Sequence, residues 1–135
     1  MNRLHAHCYF LEGLLARAER PEIRATLSDA IDKTAKFFYQ VAPCFERSDV
    51  GAQLLRARLY AARMGAVPLN KAVASAEAAR LMKHHEPDGS FRFGVRDGHP
   101  APVRNPVSTA FAMQAIDQWS LYRSQSFDAD LGGLV

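Results

Sequence analysis

Apolar residues recur every three or four positions along most of the chain, which is the period of an α-helix. The pattern divides the chain into five predicted helices, at about 4–18, 21–41, 48–64, 69–84 and 106–122. The connections between the first four helices are short, so consecutive helices are expected to pack as antiparallel neighbours. The sequence therefore predicts an α-hairpin array.

Residues that favour helix ends stand at several of these boundaries. Pro21 occupies the first position of the second helix, where a missing backbone N–H breaks no hydrogen bond. Ser48, Asn70 and Asn105 are placed to cap the starts of the third, fourth and fifth helices with side-chain oxygens. Gly65 follows the third helix, and glycine readily adopts the backbone conformation that ends a helix.

The helices differ in how their apolar residues are distributed. Helix two is clearly amphipathic, with Leu27 and Ile31 on one face and Asp29 and Lys33 away from it, and helix four is polar on its outer side. Helices three and five are apolar around most of their circumference, which indicates enclosure by neighbours. We predict that helices one, three and five form a parallel inner layer and that helices two and four cover it as a curved array.

Glycine and proline cluster in the segment between the fourth and fifth helices, residues 86–104. Residues 90–95 of this loop are able to pair as a short strand or β-hairpin. A loop of this length in a compact domain usually lines a site or moves. We assign residues 1–123 to a single α-hairpin domain and 124–135 to a C-terminal tail that shows no helical period.

Three motifs resemble the α/α-toroid superfamily over roughly residues 5–120. The segment HEPDGSF at 85–91 is similar to the Asp-Gly-Ser-aromatic turn that closes helical hairpins in terpene-cyclase and prenyltransferase toroids, although those have Gln in place of His85 and usually Trp in place of Phe91. Segments 48–56 and 105–115 resemble inner-helix starts of the six-hairpin glycan-processing toroids. The resemblance implies an all-α, antiparallel α-hairpin array of α/α-toroid type with about five helices.

The chain supplies only part of such a ring, which affects the expected partners. A partial ring leaves the sides of its first and last inner helices uncovered, and soluble monomers rarely expose large apolar surfaces. We therefore expect a homo-oligomer or a further polypeptide segment to cover them.

The starts of three parallel inner helices would gather at one rim, which is the predicted site. Helix starts offer free backbone donors to hydroxyl-rich or anionic ligands. Together with the resemblance, this predicts a polar pocket for a carbohydrate-type ligand. The candidate catalytic residues are Glu12, Asp49 and His7, with His5 and Asp88 as alternates; the candidate ligand-binding residues are Tyr9, Gln53, Arg56, Asn105 and Ser108.

A structural interpretation of the same residues stays open. Asp49, Gln53 and Arg56 form a polar stripe on helix three, but Asp49 suits a helix cap and Arg56 suits a buried ion pair with Glu12. General acid–base catalysis needs two titratable groups that flank one bond, and no spacing in the sequence fixes such a pair. The alternative function is a non-catalytic helical interaction module that pairs with itself or another chain.

Composition excludes several other classes of function. The 17 Lys and Arg residues are interleaved with 14 Asp and Glu, so the net charge of +3 forms no run that would track nucleic acid. Cys8 and Cys44 have no zinc-ligand spacing and are expected to be buried free thiols. We predict no metal, no cofactor, no membrane span and a cytoplasmic location.

Overall fold

The computed structural model describes residues 1–124. The predicted tail, apart from Ser124, lies outside the described residues. Five helices and three short strands are present, in the order α1 (Asn2–Leu15), α2 (Pro21–Val41), β1 (Phe45–Arg47), α3 (Ser48–Arg63), α4 (Lys71–Met82), β2 (Gly94–Arg96), β3 (His99–Pro100) and α5 (Pro106–Arg123).

Helix α3 is the centre of the structure and touches each of the other four helices. Its leucines at 54, 55 and 59 have no exposed surface, and each such burial is worth about 1.5–3 kcal/mol. Contacts along α3 run in chain order on both sides. On α1, His5 lies near Asp49 and Glu12 near Arg56. On α5, Phe111 lies near Arg56, and Gln118 donates a hydrogen bond to Tyr60. Helices α1 and α5 therefore flank α3 and run parallel to it.

The described residues are mostly helical, with the five helices that the sequence predicts, but they also include a small antiparallel sheet, so the all-α description is not confirmed. Its strand order is β1-β2-β3, with Phe45 paired to Arg96 and Arg47 paired to Gly94. The hairpin formed by β2 and β3 lies in the predicted loop, but at residues 94–100 instead of the predicted 90–95. Strand β1 was missed, since three residues between two helices are too short to show an alternating pattern.

Most of the observed helix ends carry the capping residues that the sequence predicts. The side chains of Asn70 and Asn105 accept hydrogen bonds from backbone N–H groups at the starts of α4 and α5, and Gly65 follows α3 with a φ of 65°. Ser48 does not cap α3, because it is the first helical residue and its hydroxyl donates to the carbonyl of Arg92 at 2.7 Å. That bond ties the start of α3 to the loop before α5.

Helices α1 and α5 each have an uncovered apolar side, as expected for the first and last inner helices of a partial ring, so α5 is not enclosed by neighbours all round. Tyr9 and Phe10 on α1 are about half exposed, at 48% and 51%. On α5, the exposed fractions of Val107, Met113 and Leu121 are 53%, 50% and 44%. Both helices flank the central helix, so each packs on one side only, and apolar composition alone cannot distinguish an enclosed helix from one with an uncovered apolar face.

Residues 85–91 form the turn that joins α4 to the long loop. The Asp88 carboxylate accepts hydrogen bonds from the backbone N–H and hydroxyl of Ser90, and Gly89 supplies a φ of 84°. The buried ring of Phe91 follows, and its backbone N–H donates to the hydroxyl of Thr109 at 3.1 Å. The turn thereby fixes the start of α5 beside the start of α3.

Replacing Gly94 with alanine is expected to disrupt the sheet. A Cβ at this position would lie 2.3 Å from the carbonyl oxygen of Glu46, a backbone atom that cannot move without breaking the β1–β2 pairing. We expect a loss of about 1–3 kcal/mol in the free energy of unfolding, measured by urea denaturation.

The matched control is Gly13→Ala, where the new Cβ meets no atom within 4 Å. Because Gly13 lies inside a helix, this substitution should stabilise the protein by about 0.5–1 kcal/mol. Equal effects of the two substitutions would show that the close approach at Gly94 is absent.

Candidate functional site

The starts of α1, α3 and α5 lie at one end of the structure. Arg47, just before α3, donates to the side chain of Asn2 at the start of α1 at 2.9 Å. On the other side, the backbone N–H of Ser48 donates to the carbonyl of Phe93, and Phe91 is bonded to Thr109 of α5. The polar residues on the first turns of the three helices therefore surround the start of α3.

Asp49 is held in place by an arginine. Its carboxylate accepts two hydrogen bonds from Arg47, at 3.0 and 2.6 Å, and one from the backbone N–H of Val50 at 2.9 Å. The side chain is only 2% exposed, and Nδ1 of His5 approaches it to 3.7 Å, which is too far for a hydrogen bond. Asp49 was predicted to be catalytic, but these bonds give it a structural role, which is to hold Arg47 at the start of α3.

Glu12 and Arg56 face each other across the α1–α3 interface. Oε1 of Glu12 lies 3.7 Å from Nη1 of Arg56, and the two side chains are 8% and 0% exposed. Burial raises the pKa of Glu12, while the positive charge of Arg56 opposes the rise. A carboxyl group with a raised pKa is more readily protonated and then serves as both hydrogen-bond donor and acceptor.

Gln53 and Ser108 are fully buried and lack hydrogen-bond partners. Gln53 sits one turn after Asp49 and one turn before Arg56, and neither its amide oxygen nor its amide nitrogen is bonded. The hydroxyl of Ser108, on the first turn of α5, is likewise unbonded. Each such group costs about 1–3 kcal/mol, and most buried polar groups in proteins are satisfied.

Two aromatic rings bridge α1 and α5 beside this polar stripe. The Tyr9 and Phe111 ring centroids are 6.5 Å apart in an edge-to-face arrangement, and Tyr9 also packs against His5. The guanidinium of Arg56 lies 5.1 Å from the Phe111 centroid. Tyr9 is half exposed, so this ring pair lies at the protein surface beside the buried polar stripe.

Two predicted site residues lie elsewhere. His7 lines a groove between α1 and α2, together with Lys33 and Phe37, and so points away from the polar stripe. The side-chain oxygen of Asn105 accepts the N–H of Val107 at 2.9 Å, which commits it to capping α5. The structure thus brings together Glu12, Asp49, Gln53, Arg56, Ser108 and Tyr9, and leaves His7 and Asn105 out.

The two cysteines differ. Burial raises the pKa of Cys8 to about 12, so its thiol stays protonated and unreactive at neutral pH. Cys44 is exposed, contrary to the prediction, because it lies in the turn between α2 and β1.

A second polar cluster, which the sequence pattern does not predict, lies on the opposite side of α3. Glu46 of β1 accepts hydrogen bonds from Nε and Nη2 of Arg80, at 2.8 and 2.5 Å, and contacts Nε2 of His84 at 3.2 Å. The spacing of Arg80 and His84, four residues apart on α4, indicates a shared face. Their acidic partner lies 34 residues before Arg80 on the unrecognised strand, so no local pattern reveals it.

The Glu46 cluster makes stability depend on acid pH. Burial alone would raise the pKa of Glu46, but hydrogen bonds and charge from His84 and Arg80 outweigh it and lower the pKa to about 2. The stabilisation is therefore complete above the unfolded pKa of about 4.5 and is lost as pH falls towards 2. We expect the free energy of unfolding to fall by about 2 kcal/mol between pH 7 and pH 3, measured by urea unfolding, because pH 3 lies between the two pKa values.

Glu46→Gln should remove most of this pH dependence, whereas Glu19→Gln, at an exposed position, should retain it. A Glu46→Gln protein whose stability falls between pH 7 and pH 3 as steeply as that of the wild type would show that Glu46 is not the responsible group.

No family model, curated protein or solved structure matches this chain. Within residues 1–124, no three His, Cys, Asp or Glu side chains are arranged to hold a metal ion. The described helices include none that is long and apolar enough to cross a membrane. The function must therefore be inferred from the geometry of the polar stripe.

Proposed function

We propose that the buried polar side chains enclosed by α1, α3 and α5, named here the polar cleft, bind a hydroxyl-rich, carbohydrate-type ligand. The observation that carries the proposal is Gln53, whose amide is fully buried and makes no hydrogen bond. A ligand with several hydroxyl groups would satisfy both of its amide atoms and the hydroxyl of Ser108. Hydrogen bonds to the ligand would thereby offset the free-energy cost of burying these polar groups.

The other side chains of the cleft suit the same ligand class. Glu12, with its raised pKa, and Arg56 add donors and acceptors beside Gln53. Tyr9 and Phe111 offer ring surfaces on which the apolar face of a sugar can stack. Tyr9 is half exposed, and we propose that a ligand reaches the buried polar groups by displacing its side chain. Ligand sites generally combine such apolar walls with a few fixed polar groups.

Binding is better supported than catalysis. Asp49, the nearest other carboxylate of the stripe, is engaged by Arg47 and by the backbone of Val50. The Asp49 carboxylate is thus committed to its own partners and is not free to act with Glu12 on one bond. The parallel arrangement of α1, α3 and α5, with α2 and α4 packed outside, supports an α/α-toroid type of array as part of this proposal.

A thermal-shift and calorimetric screen tests the proposal. Glucose, N-acetylglucosamine, maltose and cellobiose would be titrated into the wild type, with glycerol as a control for non-specific stabilisation by polyols. We expect saturable binding of at least one sugar, weakened by Ser108→Ala and by Tyr9→Ala. Binding that survives both substitutions unchanged would place the site elsewhere, and a screen without any binding would refute the proposal.

A second candidate function is self-association through α5. The apolar side chains of Val107, Met113 and Leu121 are each about half exposed on α5, and exposed apolar side chains of this kind favour a contact with a second copy or another chain. Sedimentation analysis of the wild type and of Met113→Glu distinguishes the cases. A dimer that dissociates in Met113→Glu supports this function, and a wild-type monomer at high concentration rules out self-pairing.

A further inference from the structure

A second surface of the molecule has the features of a ligand site and is separate from the polar cleft. The first half of α1 lies beside the second half of α2, and strands β1 and β2 close one end. Between them is an open groove of about 870 Å³, within the range of small-molecule sites.

The walls and floor of this groove are apolar. Phe37 and Val41 lie on one face of α2, Leu4 faces them from α1, and Phe45 lies at the sheet end. Thr34 forms part of the floor, but its hydroxyl donates to the carbonyl of Ala30 at 2.7 Å and so offers no free donor. Phe37 is 54% exposed, which leaves its ring accessible to a ligand.

The polar side chains of the groove are all basic or uncharged. Arg3, His7, Lys33 and Arg96 stand along its edges, and the lining contains no Asp or Glu. Lys33 is paired with Asp29 outside the groove at 2.7 Å. Among the described residues, no carboxylate forms an ion pair with Arg3 or Arg96; the guanidinium of Arg96 instead lies 4.4 Å from the centroid of the Phe45 ring.

We propose that this groove binds a single-chain anionic amphiphile, such as a long-chain carboxylate. The apolar chain would lie along Phe37 and Val41, and the anionic head would pair with Arg3 and Arg96. Residues 33–41 span about 12 Å of helix, which gives an extended apolar path beside the charged edge. Complementary charge selects the sign of the head group, because a cationic or neutral amphiphile gains nothing from the two arginines.

Calorimetric titration with laurate below its micelle-forming concentration tests the proposal. We expect saturable binding at one site, and no comparable binding of dodecylammonium or of the methyl ester of laurate. Arg3→Glu and Arg96→Glu should each weaken laurate binding about tenfold or more, the change produced by losing one charge-assisted contact. Arg17→Glu makes the same change in net charge at an exposed position away from the groove, and it should leave binding unchanged.

Val41→Trp provides a test that does not depend on charge, since the larger side chain would fill the groove from a partly exposed position. It should abolish laurate binding while the sugar binding of the polar cleft persists. Laurate binding that is equal in the Arg17→Glu and Arg96→Glu variants would overturn the proposal, as would equal affinity for dodecylammonium. An acidic amphipathic peptide that binds where laurate does not would assign the groove to a protein partner and also refute the proposal.

Discussion

Asp49→Ala is expected to lower the free energy of unfolding by about 3–5 kcal/mol, the largest effect of any substitution at the polar stripe. The reason is that the substitution removes the counter-ion of Arg47. Arg47 is only 11% exposed, and two of its hydrogen bonds end on the Asp49 carboxylate. Its remaining side-chain bond, to Asn2, does not compensate for a partly buried charge without its counter-ion. Urea denaturation at pH 7 measures the loss.

Asp29→Ala is the matched control, because Asp29 also pairs with a basic side chain but is 63% exposed. We expect a change below about 1 kcal/mol there, as for most surface ion pairs. If Asp49→Ala were as stable as Asp29→Ala, the anchoring role of Asp49 would be wrong and a catalytic role would regain support.

Gln53→Met is expected to act in the opposite direction and to stabilise the protein by about 1–3 kcal/mol. Methionine has a shape close to that of glutamine but carries no group that needs a hydrogen bond, so the substitution removes the cost of the unsatisfied amide. Stabilising substitutions at functional sites commonly sacrifice function, because binding sites retain groups that the fold alone would not select. The gain is measured as the difference between the unfolding free energies of Gln53→Met and the wild type.

Gln114→Met makes the same chemical change on the exposed side of α5 and should alter stability by no more than about 0.5 kcal/mol. A Gln53→Met protein that is destabilised would mean that the amide has a structural partner and would contradict the proposed ligand site.

Local signals in the sequence were sufficient for much of the fold. The boundaries of α2 and the caps at Asn70 and Asn105 depend on residues close in sequence, and they were predicted correctly. Strand β1 exists because Phe45 and Arg47 pair with residues about fifty positions later in the chain. The exposure of α1 and α5 depends on which neighbours the array supplies. Neither the pairing of β1 nor the exposure of α1 and α5 can be predicted from the apolar periodicity of one helix.

The same distinction applies to the candidate site. Periodicity correctly placed Asp49, Gln53 and Arg56 on one side of α3, and their burial followed from its central position. Periodicity gave no sign that Arg47 engages the Asp49 carboxylate, because a residue just before a helix has no fixed direction. It also left His7 beside Glu12 in the prediction, although the structure turns His7 towards α2.

Ligand-induced stabilisation of the wild type and of Gln53→Met, measured side by side, tests the central claim most directly. The sugar that binds best in the screen would be added at increasing concentration, and the unfolding midpoint recorded for both proteins. We predict that wild-type stability rises by about 2.7 kcal/mol at one hundred times the dissociation constant. Gln53→Met should begin more stable and gain only the small increment that glycerol also produces. Equal ligand-induced gains in the two proteins would contradict the assignment of the buried polar cleft as the binding site.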